Sequence, residues 1–288
     1  MYIPRNISTN TEVRNFDNGS AIYYDALSSV YADIIEEHYI KRYNNTVFMC
    51  TPCYPFFSFD GNMITKEMID KYTWKVFCNF DQFVHDDYKN HLFDWCRHVG
   101  ITDIWEWQIP ILNVYPDDLK KIVSFMPTRY ITKYEPFAIQ PVAEPQFLYI
   151  FAGNLMERRY NLMRGHMYDY LPYKTISGIR YIDNVDEFKR CAFALNIHSE
   201  NNTMQESLRI HEFLCLNVPV VSEVSDVNYF GNLITEITEN DIPNLYDLVV
   251  NDSIKINQSP AADYKALTYS DVAFERYRLN LLQFHKVI

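Results

Sequence analysis

Apolar residues along this chain fall into two kinds of pattern that take turns. Short, unbroken apolar runs such as Thr46-Val-Phe-Met-Cys50, Ile122-Val-Ser-Phe-Met126 and Gln146-Phe-Leu-Tyr-Ile-Phe-Ala-Gly153 have the length and residue types of strands buried on both faces. Between them lie stretches with helical spacing, and the alternation predicts helices over 23–42, 65–72, 86–99, 116–121, 154–170, 184–190, 203–216 and 270–285. Strands are predicted at 46–50, 74–82, 103–107, 122–126, 146–153, 173–181, 193–197 and 218–222, with the first 20 or so residues irregular or forming an edge. Strands alternating with helices indicate parallel α/β organisation. Pro127, Pro136, Pro141 and Pro145 punctuate the middle of the chain, at a density that suits a connection between domains. The expected division is a first domain over 1–140, a second over 141–270 and a terminal helix over 271–288 that crosses back to the first.

The segment from Leu195 to Ser222 carries the most chemistry. It reads as a strand ending in Asn-Ile-His-Ser, a polar loop, a helix and a second strand, Val-Pro-Val-Val-Ser. Thr203-Met-Gln-Glu206 fits a capping box. A helix start presents unpaired N–H groups and a positive dipole end to an anion, and here His198, Ser199 and Asn201 line its front. At about 100° per residue, Gln205, Arg209 and Glu212 share one polar face. A carboxylate two turns into such a helix can accept the hydroxyls of a ribose whose phosphates sit at the helix start, and Arg209 can pair with Glu212 or reach a phosphate. The competing reading is a solvated face with spaced ion pairs, each worth a few tenths of a kcal/mol. Upstream, a strand, Gly153, Asn154 and a helix opening with Arg158 and Arg159 form a plausible phosphate cradle. Its competing reading is an ordinary surface helix.

These residues resemble the C-terminal half of two-domain nucleotide-sugar glycosyltransferases of the GT-B architecture, most of all the CgeB-like spore-maturation group. There a helix carries Arg-x-x-Glu, here Arg209 and Glu212, ahead of a Gly-x-Pro-Val-Val turn, here Asn217-Val-Pro-Val-Val. The resemblance implies two Rossmann-like domains with the active site in the cleft between them. It assigns Glu212 to the ribose, and Gly153, Asn154, Arg158 and Arg159 to the diphosphate. Ser199, Gln205 and Arg209 complete the substrate-binding set, and His198 is a candidate for charge stabilisation or proton transfer. In the first half, a strand running into Asp81-Gln82 resembles the cleft-facing strand of related enzymes. That likeness makes Asp81 a catalytic candidate and Gln82 a contact to acceptor or sugar; an Asp-Gln loop that caps the following helix is the alternative. A related large family carries two Glu separated by seven residues on this helix, and Met204 stands at the first position. The implied reaction is sugar transfer from a nucleotide sugar to an acceptor hydroxyl, with retention favoured and no cofactor or divalent metal required. The acceptor is a glycan, a lipid, a protein or, in a phage or virus, a modified DNA base. The alternative to an enzyme is a catalytically silent module of the same fold.

Composition adjusts this picture at the margins. At 288 residues and 48% hydrophobic content, the chain has room for two modest domains. A net charge of −11 disfavours a broad grip on nucleic acid, which depends on clustered Lys and Arg. No run of about 18 apolar residues is present, and the N-terminus lacks a signal-peptide core, so a cytoplasmic protein is expected. Cys50-Thr-Pro-Cys53 has redox or zinc spacing, but the other four cysteines are scattered singly, which favours packed thiols over a metal site. Neither a Walker P-loop nor Gly-x-Gly-x-x-Gly occurs, against a P-loop NTPase or a dinucleotide oxidoreductase.

Overall fold

The structure, a computed structural model, describes residues 12–24, 28–50, 64–79, 86–141, 143–152, 157–168, 173–176, 184–198 and 205–287. The chain divides into two compact units, Met1–Pro127 and Thr128–Ile288.

The first unit is built from β1 (Glu12–Asn15), β2 (Ala21–Tyr24), α1 (Ser29–His38), β3 (Thr46–Cys50), α2 (Lys66–Ile69), β4 (Trp74–Asn79), α3 (Asp86–Val99), β5 (Asp103–Glu106), α4 (Asp117–Lys120) and β6 (Val123–Phe125). Its strands lie in the order β1-β2-β3-β4-β5-β6. The β1–β2 pair is antiparallel and every later pair is parallel. Among the described strands the order follows the chain, and this half is a mostly parallel α/β sheet.

The helix expected over 23–42 starts later, at Ser29, because Tyr23 and Tyr24 belong to β2. All four β2 side chains are buried, and Tyr23 faces Val13 on one side and Met49 on the other. An internal strand satisfies both edges of its backbone in this way. The polar N-terminal stretch does supply an edge, since Arg14 of β1 donates to Asp33 (2.7 Å) and Glu36 (2.6 Å) of α1 and lies over the Tyr24 ring. Aromatic rings fill the core: Trp105 packs on Phe48 and Tyr39, Trp107 on Tyr31, and Trp95 on Phe77.

The second unit comprises β7 (Phe147–Ala152), α5 (Glu157–Tyr168), β8 (Tyr173–Ile176), α6 (Val185–Phe188), β9 (Cys191–Asn196), α7 (Ser207–Cys215), β10 (Val220–Glu223), β11 (Thr235–Ile237), α8 (Leu245–Val250), α9 (Pro260–Thr268) and α10 (Asp271–Phe284). All its strand pairs are parallel, in the order β11-β10-β9-β7-β8. From β7 the chain steps to β8 on one side and then crosses to β9 on the other. This is a doubly wound sheet with its switch point between β7 and β9. Tyr149, Phe151, Phe193, Leu195 and Val221 form its core with Met163, Ile242 and Leu245.

The proline-punctuated stretch has structure of its own within this unit. Residues Thr132–Phe137 form a 3-10 helix with Tyr134 buried. Arg129, also buried, donates to the carbonyls of Thr268 (3.1 Å) and Tyr269 (2.5 Å) and stacks over Phe274. Ser270 caps α10 by accepting from the Ala273 N–H, and Tyr277 of that helix donates to the Tyr229 carbonyl.

Candidate functional site

The switch point brings together the carboxyl ends of β9 and β10 and the first turn of α5. Asn196 and Ser222 occupy matching places on β9 and β10 and are bonded to each other, Asn196 Nδ2 to Ser222 Oγ at 3.0 Å, with both side chains fully buried. One residue beyond Ser222, the buried Glu223 carboxylate accepts from the His198 backbone N–H (3.0 Å) and from Arg158. Arg158 also donates to the His198 carbonyl (3.1 Å) and to Glu239 (2.9 Å). Pairing with Glu223 raises the Arg158 guanidinium above its ordinary value, burial opposing that and Glu239 adding to it.

Arg159 is buried and spans the gap between the two ends of the β9–α7 connection. Its Nε donates to the Ile197 carbonyl at 2.9 Å and its Nη2 to Glu206 Oε1 at 2.5 Å. Arg209 closes the row from α7, donating to Asn196 Oδ1 (3.0 Å) and pairing with the other oxygen of Glu206. Three guanidinium groups and three carboxylates thus interleave at one sheet edge. Arg158 and Arg159 do not form a solvated helix surface; both turn toward the strand ends.

The helix α7 starts later than expected, and Thr203 of the expected capping box lies outside the described residues. The helix begins at Ser207, and Glu206 occupies its N-cap without a side-chain cap bond. The Glu206 carboxylate has two guanidinium partners, Arg159 and Arg209, and charged donors of this kind make the stronger bonds. Gln205, nearly fully buried, is fixed by accepting from the Tyr229 N–H at 3.0 Å. Glu212 is also buried rather than on a solvated face, and the Tyr134 hydroxyl lies 3.4 Å from it.

The far end of α7 gives Asn217 two tasks, one in the backbone and one in the side chain. Val218 N–H bonds the Phe213 carbonyl and Asn217 N–H the Leu214 carbonyl, a Schellman ending that needs a left-handed residue. Asn217 supplies it at φ +58°, as Asn does at little cost. Its side chain does what Gly could not: Nδ2 donates to the Ile139 carbonyl (2.8 Å) and Oδ1 accepts from the Ala261 N–H (3.1 Å).

Among the described residues, two polar atoms at this edge are buried without a hydrogen-bond partner, His198 Nδ1 and Gln205 Nε2. Such orphans are uncommon in folded proteins and call for an explanation. Of the expected site residues, the structure brings together His198, Arg158, Arg159, Gln205 and Arg209, with Glu212 on the same helix as Arg209. Gly153, Asn154, Ser199, Asp81 and Gln82 lie outside the described residues. Sequence reasoning left out Glu223 and Asn196 as site residues, and took Glu206 for a cap or for part of a solvated ion-pair face. Their signal was positional: each strand of the pair ends in polar residues, Asn196 and Ser222-Glu223, after an apolar run.

The first unit holds a second buried polar group. Glu106, at the end of β5, is fully buried and accepts from Asn79 Nδ2 (2.7 Å), Tyr115 Oη (2.9 Å) and the Gln108 N–H (3.0 Å). Burial pushes its carboxyl up to about 8, and the bonds from Asn79, Tyr115 and the backbone hold it down only in part. Cys50, of the Cys-x-x-Cys pair, is buried at the end of β3, and Cys53 lies outside the described residues. Among the described residues no three His, Cys, Asp or Glu side chains cluster as metal ligands, and no helix is long and apolar enough to cross a membrane.

No protein-family model and no curated protein matches the chain. Among solved structures, it is similar to the apo form of the lipopolysaccharide outer core galactosyltransferase WaaB, at 10% identity and a TM-score of 0.43 over 90% of this chain and 79% of that one. It is also similar to the glycosylation-associated protein (Gap123) complex from Streptococcus agalactiae, at 10% identity and a TM-score of 0.41, covering 88% of this chain and 54%, about half, of that one. At such values the likeness is distant and carries no argument about function.

Proposed function

We propose that the second unit binds the nucleotide of a nucleotide sugar at the carboxyl ends of β7, β9 and β10, and that the chain is a GT-B-like glycosyltransferase. The observation that carries this reading is the reversal of strand order between β7 and β9, with Arg158 and Arg159 reaching across it to the carbonyls of His198 and Ile197. Ligands of open α/β sheets bind outside the strand carboxyl ends at such a point.

In this reading the bond from the anomeric carbon to the phosphate oxygen breaks, and a bond from that carbon to the acceptor oxygen forms as the acceptor proton leaves. Negative charge gathers on the departing phosphate. Arg158 and Arg159 answer it by exchanging a protein carboxylate for a phosphate oxygen, and no divalent metal is required. Glu212 holds the ribose in this reading.

A second reading has one observation in its favour. Arg158, Arg159 and Arg209 each already hold a protein carboxylate, an arrangement that suits a silent module as well as an enzyme. Thermal-shift titration with uridine-, guanosine- and cytidine-linked sugars separates the possibilities. Stabilisation by one donor, followed by turnover when candidate acceptors are added, supports the enzyme. Binding without turnover supports the module, and no stabilisation by any donor overturns the nucleotide-sugar reading.

A further inference from the structure

Two of the arginines at the switch point have neutral anchors of their own. Arg159 Nε donates to the Ile197 carbonyl at 2.9 Å, and the guanidinium lies over the Phe151 ring. Arg209 donates to Asn196 Oδ1 at 3.0 Å, and Asn196 is itself locked by its bond to Ser222 Oγ. Asn196 and Ile197 are consecutive residues at the end of β9, so one strand end aims both guanidinia.

Both of them converge on a single carboxylate. Arg159 Nη2 donates to Glu206 Oε1 at 2.5 Å, and Arg209 Nη1 pairs with Glu206 Oε2. Each cation thus takes one oxygen, as it would from a phosphate bridging the two. The carboxylate is 19% exposed against 4% for Arg159, so its flexible stem has a way out to solvent. Nor does it serve its own helix, for Glu206 sits at the N-cap of α7 without a side-chain cap bond.

We propose that Glu206 is a built-in stand-in for a phosphate group. It occupies an anion site formed by Arg159 and Arg209, holds the unliganded chain in a self-blocked state, and swings out when a phosphate of the ligand takes its place. A phosphate oxygen meets the same donors, and its second negative charge gives it the advantage over a carboxylate. Affinity for the anion is then reduced by the fraction of chains in which Glu206 still fills the site. The identity of the ligand, the diphosphate of a sugar donor, rests on the nucleotide-sugar reading; the anion site does not.

The test is calorimetric titration of the full chain with inorganic pyrophosphate as the probe. Glu206→Gln keeps the length of the side chain and removes its charge, and should bind pyrophosphate about tenfold more tightly than the unaltered chain. Glu206→Asp keeps the charge on a shorter stem that reaches both arginines less well, and should gain about threefold. Adding Arg209→Gln to Glu206→Gln should erase the gain. Glu236→Gln, which neutralises an exposed carboxylate of β11, should leave binding within about twofold.

Unchanged or weaker binding in the Glu206 variants that fold overturns the proposal, because a structural ion pair gains nothing when cut. A gain that survives the loss of Arg209, or one that Glu236→Gln matches, overturns it too. Loss of the folded state in both Glu206 variants, read by thermal unfolding, does the same, since a carboxylate that the fold requires is not free to leave. Titration with nucleoside diphosphates and nucleotide sugars separates the two readings. If Glu206→Gln gains for pyrophosphate while no nucleotide binds better than pyrophosphate, the nucleotide-sugar reading falls and the anion site stands. If nucleotide sugars bind the unaltered chain and Glu206→Gln equally well, the stand-in falls and the nucleotide-sugar reading stands.

Discussion

Glu106 offers the most demanding test of the physical reasoning, because two large effects oppose each other on one side chain. Its carboxyl is fully buried, and burial lifts it to about 8 from the ordinary 4.5, in spite of the donors from Asn79, Tyr115 and the backbone. The folded protein therefore binds this proton more tightly than the unfolded chain does. The resulting stabilisation is complete below about pH 4.5, shrinks as pH rises, and is gone once pH passes about 8. At 1.36 kcal/mol per unit the ceiling over that window is about 5 kcal/mol, and local relaxation around the charge reduces the expected loss to about 2–3 kcal/mol.

Glu106→Gln removes the titration. Its amide meets the Gln108 N–H with a donor in one orientation, a cost that does not depend on pH. The assay is urea unfolding followed by tryptophan fluorescence, which reports the first unit because Trp74, Trp95, Trp105 and Trp107 all lie there. Between about pH 5 and about pH 9, the stability difference should tilt toward the variant by about 2–3 kcal/mol. Other titrating groups cancel in the comparison. A difference that stays flat across the range would mean that the donors, not burial, govern the carboxyl.

Two further outcomes concern the second unit. Arg159→Met strands the Ile197 carbonyl and leaves Glu206 with Arg209 as its guanidinium, so it should cost about 2–4 kcal/mol; a calorimetric loss below about 0.5 kcal/mol would show that the clamp bears no weight. Asn217→Ala keeps a side chain in the left-handed region and loses both side-chain bonds, for an expected cost of about 2–3 kcal/mol. Asn217→Gly relieves the backbone alone and should fall between the two proteins; equal costs for Ala and Gly would place the whole effect in the side-chain bonds.

The alternation of strands and helices was legible wherever the pattern was strong and local. The helix expected over 86–99 is α3 (Asp86–Val99), and the apolar runs at 46–50 and 146–153 become β3 and β7. It failed at Tyr23 and Tyr24, which suit helical spacing with Ala26 and Val30 as well as they suit a strand; only pairing with both β1 and β3 decides between the two. Glu106 was illegible for a related reason. Within Trp105-Glu-Trp107 it looks like the outward residue of a half-buried strand, and its partners Asn79 and Tyr115 come from other elements. At the candidate site, the residue types at the strand ends and on α5 could be read, but their pairing could not. Arg158 meets Glu223 across 65 positions and Arg159 meets Glu206 across 47, and no local pattern encodes such matches. The same long-range pairing turned an expected cap, Glu206, into the hinge of an ion-pair row.

The two strand orders also imply different histories during synthesis. In the first unit every new strand docks beside the one just made, so the sheet can grow in step with the emerging chain and most closures are short. In the second, β7 finds β8 early, but its other edge stays open until residues 191–196 emerge to form β9. During that interval Phe-Leu-Tyr-Ile-Phe-Ala, the most apolar strand of the sheet, presents an unpaired flank to its surroundings, the kind of template on which chains misassociate. The reversal that creates a ligand crevice thus also creates a vulnerable moment in the birth of the protein, one that the sequential sheet avoids.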